Sequence, residues 1–200
     1  LSRGLGDVYK RQVQTSLNAF GVDTMAAWAA FGKIDSLFWM INSAFGIAVT
    51  TFVGQNFGAD KMDRVRKGTR VCLGMALGTA IILSVVLMAG GRVLFGIFTT
   101  DLGVVEVGLR MMQIISPTYF LFVFIEIYSG SLRAQGYVFV TTLMTLIGIC
   151  AFRVIWVTLI VPDGTLEQII ACYPLTWLVC AIGMIGYYHY KQCKILRELR

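Results

Sequence analysis

Charged residues are scarce in this chain, and none of the usual enzymatic clusters can be assembled from those present. Asp, Glu, Lys and Arg make up 14% of the 200 residues, where a soluble globular domain carries about 25%. The single histidine, His189, stands alone near the end of the last apolar run. With no His/Cys/carboxylate cluster around it, no metal centre is expected. The cysteines Cys72, Cys150, Cys172, Cys180 and Cys193 form no C-x-x-C pair and lie in apolar runs or near their cationic ends. They read as small apolar packing residues, reduced in place. No Ser/His/Asp order and no phosphate-cradling glycine loop is present, so the chain is not expected to be an enzyme and no cofactor is called for.

What the chain has instead is apolar residue in blocks. Hydrophobic residues make up 57% of it, and its mean hydropathy is +0.74. The runs 36–54, 71–90, 111–130, 137–161 and 169–190 each approach the roughly 20 residues that cross a bilayer as a helix. Backbone polar groups in lipid must be satisfied internally, which leaves helices or closed barrels. The runs are too long for barrel strands and lack strict period-two alternation. The expected fold class is therefore all-α, a polytopic membrane protein.

The net charge of +6 is a matter of topology. Cations gather in the 61–70 segment (Lys61, Arg64, Arg66, Lys67, Arg70), around Arg133, and in the tail Lys191, Lys194, Arg197 and Arg200. The intervening connections carry Asp101 and Glu106, then Asp163 and Glu167. By the excess of Lys and Arg on cytoplasmic loops, the 61–70 loop, the Arg133 turn and the C-terminus face inward, while 99–108 and 162–167 face outward. Arg92 and Arg110 run against this bias. Nucleic acid is not an expected partner; the lipid bilayer is.

The first twelve residues, LSRGLGDVYKRQ, are polar and differ from everything after them. They lack the continuous apolar centre of a signal peptide and resemble a translated sequencing-library adapter. Residues 1–12 are accordingly expected to be non-native and the chain a fragment. Residues 13–190 then form the membrane lobe and 191–200 a basic cytoplasmic tail. From Val13 the order reads as a partial span to Phe20, an outer turn at Gly21-Val22-Asp23, and five complete spans.

Several short runs carry a resemblance. Gly54-Gln55-Asn56-Phe57-Gly58-Ala59, followed by arginines, resembles the G-Q-N-x-G-A cytoplasmic turn of multidrug and toxin extrusion (MATE) transporters. The run Asn18-Ala19-Phe20-Gly21, with Gln14 ahead of it and Ala26-Ala27-Trp28 beyond, is similar to the start of a MATE half. Leu94-Phe95-Gly96-Ile97-Phe98-Thr99-Thr100-Asp101 resembles the outer segment after the third helix of a half, and Ser116-Pro117 the proline of the fourth. Gly130-Ser131-Leu132-Arg133-Ala134-Gln135-Gly136 is similar to the family's G-x-L-R-G-x-G turn, with Ala134 where a glycine is usual and Phe139-Val140 where a proline is common. Tyr173-Pro174-Leu175-Thr176-Trp177 resembles a Y-P-x-x-W run in the sixth helix. The resemblance, with Arg153 in the fifth helix, implies the C-terminal six-helix lobe of a twelve-helix transporter, its first helix truncated. It further implies export of bulky, often cationic compounds by alternating access, driven by H+ or Na+. The missing N-terminal lobe of the same chain would be its partner, in a bacterial cell membrane, and the fragment alone is expected to be inactive.

Six polar residues in or beside the spans are candidates for the substrate and ion pathway. Glu126 lies mid-span, where a carboxylate faces a cavity or a partner and is placed to hold and release a proton. Sodium-coupled relatives carry a fourth-helix carboxylate farther ahead of the L-R-G turn, so that role is not transferred. Arg153 cannot shed its proton and needs a carboxylate, carbonyls or water; Glu126 is the expected partner, as a structural pair or a coupling switch. Lys33 and Asp35 point about 200° apart around a helix, so they cannot share one tight site. Lys33 is free to snorkel outward; Asp35, with Glu126, is the better contact for cationic cargo. Gln14 and Asn18 share a helical face that lines the cavity or meets another helix. Phe38, Trp39, Tyr119, Phe122 and Phe124 either pack or stack flat cations. Gly74-x-x-x-Gly78 would permit close helix packing, and Gly46, Gly130 and Pro117 offer places to bend. Gln55, Asn56 and Gly58 are expected to shape the turn. Two alternatives remain: a flippase for lipid-linked saccharides from the same broader superfamily, and a non-transporting membrane scaffold.

Overall fold

The computed structural model describes residues 21–156 and 165–198. Among these residues five helices are long and apolar enough to cross a membrane: α1 (Val22–Gly58), α2 (Met62–Phe98), α3 (Leu102–Ala134), α4 (Val138–Ile155) and α5 (Leu166–Ile195). The partial span 13–20, with Gln14 and Asn18, and the first twelve residues lie outside the described residues. So does most of the connection between α4 and α5.

Helical periodicity accounts for which faces meet. The buried residues of α1, among them Ala27, Phe31, Ile34, Phe38, Asn42, Gly46, Val49 and Val53, recur every three or four positions and make a single stripe. In α2 the buried stripe is narrower: Val65, Thr69, Ala76, Ala80, Leu87, Gly91 and Phe95. The rest of α2 is apolar and open, with Val71, Ile82 and Val93 largely exposed. An apolar residue on such a face needs no protein partner in a bilayer. α3 is the hub, touching α1, α2, α4 and α5.

The helices are longer than their apolar runs. At 1.5 Å per residue, α1 and α2 each extend about 55 Å, well beyond the roughly 30 Å hydrocarbon core. The cationic 61–70 segment, expected as a loop, is mostly the first turns of α2, which begins at Met62. The chain reverses instead within Ala59–Lys61. The amide of Lys61 donates to the Asn56 carbonyl (2.9 Å) and that of Asp60 to Phe57 (3.0 Å), with Asp60 at φ 57°. These two hydrogen bonds around one left-handed residue close a helix end. Asn56 serves the turn as expected, but from inside the helix, its side-chain amide also bonding the Phe52 carbonyl at 2.8 Å. The basic tail likewise continues the last helix, as far as Glu198.

The turn between α3 and α4 repeats this closure. Gly136 N–H donates to the Arg133 carbonyl and Tyr137 N–H to Leu132, both at 3.0 Å. Gly136 carries the positive φ of 91°, while Ala134 is an ordinary helical residue. The departure from glycine at 134 therefore leaves the turn geometry intact. At the opposite end Asp101 caps the start of α3, its carboxylate accepting from Gly103 N–H at 2.8 Å. An exposed Arg110–Glu167 ion pair at 3.8 Å joins α3 to α5 there. Pro117 sits in a short 3-10 turn, Ser116–Thr118, and the Ser116 carbonyl takes a bond from the Ser84 hydroxyl at 2.7 Å.

The Gly74-x-x-x-Gly78 stripe, expected to pack a helix, meets no other helix among the described residues. A Cβ built at either glycine finds no atom within 4 Å among the described residues, because both face outward with Met75.

A left-handed conformation costs an L-residue about 1–2 kcal/mol, so Gly136→Ala is expected to destabilise the protein by that amount. Thermal unfolding of the full-length protein in detergent checks it, and Gly136→Asn should cost less.

Candidate functional site

Helices α1 and α3 run in the same direction and cross where both have a glycine. A Cβ added at Gly130 would stand 2.9 Å from Thr50 Oγ1 and 3.3 Å from the Gly46 carbonyl oxygen, so the backbones nearly touch. Because the helices are parallel, the register set there persists along them. Tyr119 follows Asp35 by 84 residues, the same offset that separates Gly130 from Gly46. Three helical turns from the crossing, Asp35 therefore meets Tyr119.

Asp35 is half-buried. One carboxylate oxygen accepts from the Tyr119 hydroxyl and the other from Trp39 Nε1. Trp39 lies one turn along from Asp35, and Tyr119 comes from α3. The Tyr119 ring stacks on Phe38 at 3.9 Å and 5°. Trp39 is set edge-on to Phe122 (4.6 Å) and Trp177 (6.2 Å). The five aromatic candidates mostly pack on one another as well as on α5, while Trp39 and Phe122 stay half-buried. The arrangement holds a carboxylate with two oriented donors inside an aromatic wall. A carboxylate so placed can accept a proton or a small cation, and the surrounding ring faces favour positive charge.

Glu126 lies at the crossing itself. Its Oε1 is so close to Gly46 that a Cβ there would be 2.2 Å away. The expected partnership with Arg153 is not formed: Glu126 pairs with Arg133 at 3.5 Å, two turns along its own helix. Arg153 is buried instead on the α5 side, its guanidinium 3.9 Å over the Tyr173 ring and its Nε donating to Thr176 Oγ1 at 3.4 Å. The reason is geometric. Gly148, in the π-helical turn Leu146–Ala151, packs against Cys180, and the following residues of α4 also contact α5. Lys33 is exposed, 5.5 Å from the Phe98 ring, and shares nothing with Asp35, as their angular separation required.

A second polar constellation, not anticipated from sequence, lies at the basic end. Thr69 and Ser131 hydroxyls are 3.0 Å apart. Gln135 Nε2 donates to Ser131 Oγ at 3.2 Å, Gln192 Nε2 to Gln135 Oε1 at 3.1 Å, and Arg66 Nε to Gln192 Oε1 at 3.3 Å. Thr69, Ser131, Gln135 and Gln192 are all buried. The chain of bonds ties α2, α3 and α5 together. Gln192 follows Tyr188 by one helical turn on α5, and only that spacing hinted at a common face. Among the described residues no group of three His, Cys, Asp or Glu could hold a metal ion.

Comparison with known proteins gives this geometry a context. The family model described as MatE matches residues 13–159. A probable multidrug resistance protein of Bacillus subtilis, YoeA, is 25% identical over 189 residues, covering 92% of this chain and 41% of its own length. Multidrug and toxin extrusion protein 2 of mouse is 26% identical over 131 residues, 66% of this chain and 23% of its own length. The chain thus spans well under half of the curated relatives it matches. Among solved structures, the Vibrio cholerae MATE transporter VcmN in its bent form superposes with a TM-score of 0.86 at 16% identity, over 97% of this chain and 44% of that one. A MOP superfamily transporter from Pyrococcus furiosus gives a TM-score of 0.85 at 14% identity, over 95% of this chain and 42% of that one.

The glycine at the crossing makes a sharp prediction. In Gly46→Ala the methyl group evicts the Glu126 carboxylate, so melting temperature should fall, and Glu126→Ala in the same protein should recover most of the loss. A double-mutant cycle on the full-length protein should return a coupling of about 1 kcal/mol or more.

Proposed function

Because the chain belongs to the MATE family of membrane transporters, we propose that it forms the C-terminal lobe of a secondary exporter that moves organic, often cationic compounds outward in exchange for H+ or Na+. The basic end lies in the cytoplasm in this reading, with the α5 terminus, by the cation excess on that side. The other lobe of the same polypeptide completes the cavity, and residues 1–12 are foreign to it.

The observation that carries the proposal is Asp35, half-buried and bonded by Tyr119 and Trp39 within an aromatic wall. A charged carboxylate inside a membrane helix is costly and is retained where it acts. Deprotonated, Asp35 attracts a cation that the Trp39 and Phe122 rings also favour. Occupied by a proton or Na+, it loses that attraction and the cargo is released. Glu126, neutralised by Arg133 and wedged against Gly46, is a second ionisable group on the same pair of helices. It is placed to respond when α1 and α3 shift against each other. A flippase for lipid-linked saccharides would want free cations in the cavity. Arg153 is instead covered by Tyr173 and Lys33 lies out on Phe98, which favours the exporter.

Ethidium efflux in an efflux-deficient bacterium expressing the full reading frame tests this. Asp35→Asn should lower the ion-driven efflux rate by about ten-fold or more with expression unchanged, and Glu126→Gln by less. Unchanged efflux in Asp35→Asn would remove that residue from the mechanism.

A further inference from the structure

The five cations of the 61–70 segment do not act as one patch. Arg66 turns inward to Gln192, whereas Arg64 and Lys67, one turn apart, project together over the opposite side of the helix. There they stand at the mouth of a groove of about 500 Å³ between α1 and α2. Its walls are Phe45 and Phe52 from α1 with Val71 and Met75 from α2, and no carboxylate lines it. Val71 and Met75 continue into the open apolar face of α2, so the groove leads from two exposed cations straight onto a surface built to meet hydrocarbon. Arg64 and Lys67 enter no ion pair among the described residues.

We propose that this groove binds an anionic diacyl phospholipid, its phosphate between Arg64 and Lys67 and one acyl chain along Phe45, Phe52, Val71 and Met75. The two halves of the site match the two halves of that molecule. A guanidinium and an ammonium side by side attract a phosphate diester, and an apolar channel running from them into the bilayer takes its tail. Basic pockets between membrane helices are suited to such headgroups. A zwitterionic lipid carries its own ammonium beside the phosphate, so its net-neutral headgroup is attracted more weakly by the same pair. A free phosphate ion would leave the apolar channel unused. The proposal is independent of cargo and of coupling ion.

Native mass spectrometry of the full-length protein, released from detergent containing equal phosphatidylglycerol and phosphatidylcholine, provides the test. Wild type should retain phosphatidylglycerol in about ten-fold preference; Arg64→Gln with Lys67→Gln should abolish the preference without altering elution on size exclusion. Arg64→Lys with Lys67→Arg should keep it. Val71→Trp, which fills the channel and leaves the cations, should also reduce retention. Equal retention of the two lipids by wild type, or undiminished preference in the double glutamine variant, would overturn the site. The latter is also the outcome if another protein surface covers the groove. Displacement of phosphatidylglycerol by inorganic phosphate at millimolar concentration would likewise overturn it, in favour of a simple anion site.

Discussion

The near-contact of the α1 and α3 backbones at Gly46 and Gly130 is the constraint from which most of this architecture follows. A side chain at Gly130 would meet Thr50, Val49 and the Gly46 carbonyl and push the helices apart, and one at Gly46 would displace the Glu126 carboxylate. The register that places Tyr119 on Asp35 and Glu126 on Gly46 would then be lost. Lipid offers no hydrophobic drive for one helix to join another, so association rests on close packing and on polar bonds. The crossing supplies the first. Because the helices are parallel there, a single close approach also fixes contacts three turns away. The site at Asp35 is thus held by a feature that shares no atom with it.

Polar bonds supply the second requirement, and they are concentrated where the helices leave the apolar layer. The Thr69–Ser131–Gln135–Gln192–Arg66 chain ties three helices at the basic end. Every member is satisfied by another, as groups away from water must be. It also decides the fate of the cations. Once Arg66 is committed to Gln192, the helical repeat sends Arg64 and Lys67 to the other side, over the groove. Cations that are neighbours in the sequence thereby come to stand in different surroundings.

Much of the fold was legible in the chain. Five apolar runs with cations at alternate ends dictate five spans, and lipid dictates that they are helices. The short runs around Gly54–Ala59 and Gly130–Gly136 pointed to the family that the match over residues 13–159 establishes. Helix ends were less legible. The 61–70 segment looks like a loop because it is charged, yet charge does not prevent a helix from continuing into water. The Gly74-x-x-x-Gly78 stripe has the composition of a packing surface but lies on the open side of α2, since nothing local says which face another helix will take. Glu126 and Arg153 looked like a pair because both are costly in lipid. Arg133, two turns along the helix carrying Glu126, answered one charge, and the Tyr173 ring with Thr176 met the other.

By itself the sequence determined what the solvent imposes: how many spans, of what kind, and which ends are cationic. Those follow from composition counted along the chain, because hydrocarbon acts on each residue alike. It also placed Asp35 and Trp39 one turn apart and Lys33 on the far side, since the helix repeat is local and fixed. Only the tertiary structure decided that Asp35 meets Tyr119, that Glu126 rests on Gly46 beside Arg133, and that Arg64 and Lys67 share a groove while Arg66 does not. Each of those depends on where one helix crosses another, and a crossing is set jointly by small residues far apart in the chain.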